Sequence, residues 1–150
     1  MIPLHPDYVR HTRDTILIQP FAQYLGITVT DIAPGVLDVQ MPLAAHHLQQ
    51  DGIVHGGVTA TLADTCLAMA AHTLIGDGER VVTIEFKINY LRPGAGQMLR
   101  CRGAVLRPGR TITTSEAEIY AIDGDQKRLI AKALGTIAIL PPYAVSSTSS

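Results

Sequence analysis

Residues 55–76, HGGVTATLADTCLAMAAHTLIG, decide the fold. Alanine and leucine dominate the segment after its Gly-Gly pair, which predicts one long helix over Gly56–Ile75, stopped by Gly76-Asp77-Gly78. Placed at about 3.6 residues per turn, Val58, Leu62, Cys66 and Met69 share one side, while Leu67, Ala68 and Ala71 occupy another. A helix that is apolar nearly all round is buried nearly all round. Downstream lie four strand-like runs, Val81–Leu91, Gln97–Leu106, Arg110–Ala121 and Lys127–Leu140. They are separated by Arg92-Pro93-Gly94, Arg107-Pro108-Gly109 and Asp123-Gly124-Asp125, connections short enough to predict an antiparallel meander. Upstream, Ile27–Ile32 and Val36–Met41 alternate about Ala33-Pro34-Gly35 and read as a hairpin. Before them come a short amphipathic helix over Asp7–Thr15 and a further helical turn over Gln19–Tyr24, entered at Pro20 and stopped by Gly26. A buried helix needs a sheet that curves around it, so the fold class is α+β, a strongly bent antiparallel sheet wrapped around one central helix. Residues 1–20 read as an N-terminal helical extension, 21–140 as the domain and 141–150 as a flexible tail.

At 150 residues the chain supports one domain with a real core. Apolar residues make up 47% and charged residues 17%, a folded composition. A net charge of −1 carries no basic excess for nucleic acid and no polybasic run for a membrane surface. The longest apolar stretch, Val58–Ile75, is broken by Asp64, His72 and several threonines and does not read as a membrane span. Charges in MIPLHPDYVRHTRD stand where a signal peptide needs an apolar run. Cys66 and Cys101 lie far apart without metal-type spacing and read as reduced core thiols of a cytoplasmic protein.

Several chemistries are excluded. Only Ser115 precedes the terminal serine cluster and no G-x-S-x-G is present, which removes the serine-hydrolase elbow. No H-E-x-x-H, CxxC or His pair at helical spacing suggests a metal, and the adjacent His46-His47 pair reads as a polar loop with diverging side chains. There is no P-loop and no strand-linked G-x-G-x-x-G. An enzyme of this composition works with a carboxylate, an imidazole, hydroxyls and backbone amides.

Between Ile53 and Gly76, 24 residues carry one formal charge, Asp64. A carboxylate amid a buried helix is costly unless paired or hydrogen-bonded, for example to Thr61 or Thr65, or used. It lies past the first turn and gains nothing from the macrodipole. At the helix start, His55-Gly56-Gly57 lets a ligand approach the backbone closely, and the first helical amides lack internal partners, so a polarised carbonyl oxygen can sit on the Gly56 N–H. Gly56 and Asp64 are eight residues apart, roughly 12 Å along a helix. A base and an oxyanion donor must both come within about 3 Å of one reacting group. One helix cannot place both, but a second copy running antiparallel across a two-fold axis can, so a site using both features lies between subunits.

The segment HGGVTATLADT, preceded by Gln49-Gln50-Asp51-Gly52, resembles the hotdog-fold acyl-CoA thioesterases of the PaaI/Them2-like group. TIEFKINYLRP over Thr83–Pro93 is similar to the strand that follows the central helix in that family, and RPGRTITTSEAEIYAIDGDQKRLIAKALGTI is similar to its last hairpin. The resemblance covers roughly Phe21–Leu140. It implies a hotdog fold and hydrolysis of an acyl-CoA thioester to a free acid and CoA. It makes Asp64 the catalytic carboxylate, as general base or nucleophile, Gly56 the amide that polarises the carbonyl with His55 beside it, and Thr83 a hydroxyl that helps hold the attacking water. Gln49 stands where relatives often have Asn, a residue that orients water or leaving group. Arg92 with Pro93, and the turn Arg107-Pro108-Gly109-Arg110, resemble loops that contact the phosphates of CoA. Tyr90, alternating with Phe86 and Ile88, is expected in the core or an interface, with the lining of an acyl pocket as the alternative. The resemblance also implies a homodimer through the strand after the helix and a further pairing into a homotetramer. Coenzyme A enters as part of the substrate, so no separate cofactor and no metal are expected, nor a nucleic-acid or membrane partner. Two other readings share the fold: an enoyl-CoA hydratase type of enzyme, for which no second carboxylate is seen near the helix, and a non-catalytic acyl-CoA sensor, which needs no lone Asp64.

Overall fold

The computed structural model describes residues 1–143, so the expected tail lies outside the described residues beyond Tyr143. Two short helices, α1 (Tyr8–Leu17) and α2 (Pro20–Leu25), precede a hairpin of β1 (Thr28–Ala33) and β2 (Val36–Pro42). A loop containing a single 3-10 turn at Ala45–His47 leads to α3 (Gly56–His72), followed by β3 (Arg80–Tyr90), β4 (Met98–Arg107), β5 (Ile112–Asp123) and β6 (Gln126–Leu140). Pro20 opens α2, and Gly26 closes it with φ of 71°, a conformation glycine adopts without a Cβ penalty. The strands alternate as half-buried strands do. Leu37, Val39 and Met41 of β2 and Ala117, Ile119 and Ala121 of β5 are buried, with polar or half-exposed residues between them.

The six strands form one antiparallel sheet in the order β1-β2-β4-β5-β6-β3. The predicted meander therefore holds only over β4-β5-β6. β4 is flanked by β2 and β5, which leaves β3 the free edge of β6, its sole partner. Arg92-Pro93-Gly94 is thus a crossing and not a hairpin turn. The Leu91 and Arg92 N–H groups bond to the Ile130 carbonyl, and the Gly94 carbonyl accepts from the Val54 N–H at 2.8 Å.

α3 lies against the sheet and touches β2, β3, β4, β5 and β6. Leu62, Cys66, Leu67 and Ala70 are fully buried there, with Leu99, Ile119 and Ile137 among the sheet residues of the same core. Burial of each leucine contributes about 2 kcal/mol. The closest approach is at Gly103, where an added Cβ would lie 2.3 Å from the Cys66 carbonyl oxygen. Only a residue without a side chain admits the helix at that depth. The helix is not covered all round, however. Gly57, Thr61, Asp64, Thr65 and Ala68 form a stripe that stays exposed or half-exposed, because one curved sheet reaches only part of the way around a cylinder. α3 also ends earlier than expected, at His72. The Thr73 hydroxyl donates to the Ala70 carbonyl and accepts from the Gly35 N–H, both at 2.7 Å, which ties the helix end to the β1–β2 turn. Leu74 and Ile75 remain buried beyond it. Cys66 and Cys101 are free and buried, and no helix is long and apolar enough to cross a membrane.

α1 docks on the C-terminal end of α3 through imidazoles. The rings of His5 and His11 stack at 4.5 Å, those of His11 and His72 lie 4.6 Å apart, and His72 Nδ1 is 3.0 Å from the Thr12 hydroxyl. Burial, and the neighbouring His11 and His5, push the His72 pKa down to about 4.

Two outcomes are expected. Gly103→Ala forces the Cys66 carbonyl away and lowers stability by about 1–3 kcal/mol in urea denaturation. Because folded His72 binds its proton only near pH 4 while the unfolded side chain does so near about 6.5, its contribution is intact above that higher value and is lost as pH falls toward the lower one, by up to about 3 kcal/mol. Melting curves across this window are expected to fall less steeply for His72→Gln than for the parent chain.

Candidate active site

The start of α3 sorts its amides. His55 is the N-cap, with φ −62° and ψ 134°, and its ring Nδ1 accepts the Gly57 N–H at 2.9 Å. The Val58 and Thr59 N–H groups go to the His55 carbonyl at 3.0 and 3.2 Å. Gly56 is left as the one first-turn amide with no partner among the described residues. It borders a cavity of about 380 Å³, whose wall includes Gln49, Thr59, Tyr90, Arg92 and Pro93. Four of the residues singled out from sequence, Gln49, Gly56, Arg92 and Pro93, are therefore brought to one place. The His55 ring is exposed and caps the helix start through Nδ1.

Tyr90 was expected in the core or an interface. In this chain it is 53% exposed and lines the cavity, and its hydroxyl donates to the Gly56 carbonyl at 2.8 Å. The alternation of Tyr90 with Ile88 and Phe86 does place it on the helix side of β3. What it leaves out is that β3 outruns the sheet's cover, so the last inward residue meets the helix start beside open space.

Asp64 sits two turns further along α3, on the open stripe, and is not part of the cavity wall. Its Oδ1 accepts from the Thr83 hydroxyl at 2.7 Å. The helix hydroxyls considered as its partners are engaged elsewhere: Thr61 donates to the Gly57 carbonyl and Thr65 to the Thr61 carbonyl, both at 2.9 Å. A bulge in β3 makes the Thr83 contact. The register slips between Thr83 and Glu85, so that Thr83 faces Ile137 while Phe86, Ile88 and Tyr90 face Gly135, Ala133 and Ala131. All four β3 residues then lie on the helix side, which strict alternation from Tyr90 would deny to Thr83. The arrangement is a carboxylate oriented by a hydroxyl, with its second oxygen unengaged among the described residues.

The second basic turn lies elsewhere. Gly109 and Arg110 border a separate cavity of about 310 Å³, together with Leu74 and Ile75 past the C-terminal end of α3. Arg107 is exposed at the end of β4 and does not line it. A Cβ on Gly109 would lie 2.1 Å from the Ile112 carbonyl oxygen, which explains glycine in so tight a turn. Within one chain, the 17 residues of α3, about 25 Å of helix, separate Arg92 from Arg110. Among the described residues, no group of three or more His, Cys, Asp or Glu side chains is arranged to hold a metal ion.

Comparison with known proteins gives these features a setting. Residues 51–127 match the Thioesterase superfamily. The chain is 32% identical over 116 residues to the proofreading thioesterase EntH of Klebsiella pneumoniae, covering 77% of this chain and 83% of that protein. Its fold matches a thioesterase family protein from Silicibacter pomeroyi with a TM-score of 0.87 and 34% identity, over 89% of this chain and 98% of the other. It matches the Escherichia coli PaaI protein from the phenylacetic acid degradation operon with a TM-score of 0.82 and 26% identity, over 93% and 97%. An antiparallel sheet packed on one long helix, together with these likenesses, makes the chain a PaaI-like, hotdog-fold member of the thioesterase superfamily, whose chemistry is the hydrolysis of thioesters.

Proposed function

We propose that this chain hydrolyses acyl-CoA thioesters to a carboxylic acid and CoA, at a site assembled from both protomers of a homodimer. The observation that carries the reading is the placement on one helix of a Gly56 amide without a partner among the described residues and a Thr83-held Asp64 carboxylate, eight residues apart. That is roughly 12 Å, too far for both to serve one carbonyl. An antiparallel second copy of α3 sets the Asp64 of one chain against the Gly56 of the other, twice per dimer. Three features support this. Asp64 lies on the stripe of α3 that the sheet leaves open. β3, 11 residues long, is an edge strand, and an edge of that length is a ready template for another strand. The two basic turns stand at opposite ends of α3, and antiparallel copies bring the Arg92-Pro93 turn of one chain toward the Arg107, Gly109 and Arg110 turn of the other, where guanidinium groups suit the phosphates of CoA. Val82, Ile112 and Leu134, exposed apolar residues on the outer face of β3, β5 and β6, support a further pairing of dimers.

In this reading the thioester carbonyl oxygen accepts from the Gly56 N–H at the positive end of α3. Water attacks the carbonyl carbon while Asp64 takes its proton, and Thr83 holds the carboxylate in orientation. The tetrahedral oxyanion collapses, the C–S bond breaks, and the CoA thiolate leaves and takes the proton from Asp64. Gln49 positions the water or the leaving sulfur. A thiolate is a good leaving group, so one carboxylate suffices. CoA is part of the substrate, and the reaction needs no further cofactor. Two buried, unpaired thiols fit a cytoplasmic setting.

Free-thiol detection across a panel of acyl-CoA substrates tests the activity. Asp64→Asn is expected to lower kcat at least about a hundredfold with a melting temperature close to that of the parent, and parental turnover in that variant would sink the assignment. Gly56→Pro replaces the N–H by a ring carbon and brings a Cβ to an ordinary contact 3.5 Å from the Tyr90 oxygen, and the helix accommodates it because Pro is favoured at the first helical position and the His55 dihedrals suit a residue before proline. It is expected to be inactive alone. Mixed and re-annealed with Asp64→Asn, it is expected to recover about one quarter of parental activity, because half the dimers are mixed and each carries one intact site. No recovery would place the site within a single chain.

A further inference from the structure

The loop between β2 and α3 is pinned by a buried imidazole. His47 is 2% exposed. Its Nδ1 accepts the Ala44 N–H at 3.0 Å, while the His47 backbone N–H donates to the Ala44 carbonyl at 3.0 Å. Its carbonyl accepts the His55 N–H at 2.9 Å, which ties the turn to the residue that caps α3. Between these ties the chain closes a miniature hairpin. Leu48 bridges Val54, the Gln49 N–H reaches the Ile53 carbonyl at 2.9 Å, and the Gly52 N–H reaches the Gln49 carbonyl at 3.0 Å. The loop holds Gln49 at the cavity wall and delivers the chain to Gly56. The far ring nitrogen, Nε2, is buried near the Leu25 carbonyl and has no hydrogen-bond partner among the described residues. Burial, and then the neighbouring His46, push the His47 pKa down, in keeping with a neutral ring whose Nδ1 is free to accept. The adjacent His46 and His47 rings are 4.1 Å apart and do not diverge, because the 3-10 turn folds them together.

We propose that His47 is a positioning residue for the hydrolysis described above: its Nδ1 fastens the base of the 44–55 loop, and the loop in turn presents Gln49 and the Gly56 amide to the cavity. The role rests on that reading of the site. It assigns a function to a side chain that touches no reacting atom, and it makes the acceptor at the Nδ1 position, more than the ring itself, the requirement.

Three substitutions separate these properties. The Asn oxygen falls where Nδ1 stands, the Gln oxygen falls nearer Nε2, and Leu has similar bulk and no acceptor. With the best substrate of the panel, His47→Asn is expected to keep kcat within about threefold of the parent, whereas His47→Leu and His47→Gln lose about tenfold or more with KM changed less than about twofold. A folded His47→Leu with parental kcat overturns the proposal, as does an Asn variant that falls as far as the Gln variant. The Asn–Gln comparison stands even if the Leu variant does not fold. Amide hydrogen exchange reads the loop without turnover. In His47→Gln the Ala44, Gln49 and His55 amides are expected to exchange on the order of tenfold faster while β4 and β5 keep their protection. An active parent whose His47→Gln variant shows a loosened loop and an unchanged kcat overturns the role of His47 alone. A parent inactive on every thioester overturns the hydrolysis reading, and with it this role.

Discussion

A flat ribbon of strands, however curved, closes around a helix on one side only, and the arrangement of this chain follows from that constraint. The sheet takes α3 to the depth Gly103 allows, where the Cys66 carbonyl fills the space a side chain would need. Packing at that depth supplies the buried leucines and methionine of the core and leaves the opposite stripe, with Asp64 in it, unroofed. A carboxylate can exist there because it is not sealed in hydrocarbon. It has the Thr83 hydroxyl on one oxygen and open space beside it. The same geometry that exposes the acid exposes β3, so one surface carries both the carboxylate and the sheet's edge strand.

The two ends of α3 divide the remaining work. At the start, the His55 ring, the His55 carbonyl and the Tyr90 hydroxyl engage the backbone groups around Gly56, and they do so without consuming its N–H. At the far end, three imidazoles hold the N-terminal helix against the last turn. One end is thus organised around a donor left vacant by its neighbours, the other around polar rings packed into apolar surroundings. In both cases histidine serves architecture: a cap at His55, a loop tie at His47, a helix dock at His72.

Much of this was legible in the residues. An unbroken Ala- and Leu-rich run flanked by glycines specifies a long helix locally, and a lone acid within it stands out because nothing nearby on the helix can neutralise it. Alternation located every strand to within a few residues. Partner choice was not legible. Arg92-Pro93-Gly94 has the composition of a tight turn, and what makes it a crossing is the contact of distant residues, Val54 and Ile130, with Gly94. The helix boundary moved to His72 because Thr73 finds an acceptor in its own last turn and a donor in Gly35, and the second of these is invisible to local propensity. Burial of His47 was missed for a similar reason: two adjacent histidines look like a solvated loop until α2 covers one of them. Of the residues that border the cavity, Gln49, Gly56, Arg92 and Pro93 stood out in the sequence and Tyr90 less so, because its place there depends on where a strand outlasts its sheet.

The slip in β3 has a consequence of its own. Absorbing one surplus residue as a bulge between Thr83 and Glu85 decides which side of the ribbon the Thr83 oxygen occupies, because in an unbulged ladder of the same residues every side chain beyond it has the opposite parity. Removing Ile84 would restore a regular ladder and keep Thr83 opposite Ile137 on the helix side, whereas pairing the same residues without the bulge would turn the hydroxyl to the outside and leave Asp64 without its hydrogen-bond donor. The Thr83–Asp64 hydrogen bond is therefore set by the register of β3 at the scale of one peptide unit, while the fold around it is indifferent to that choice.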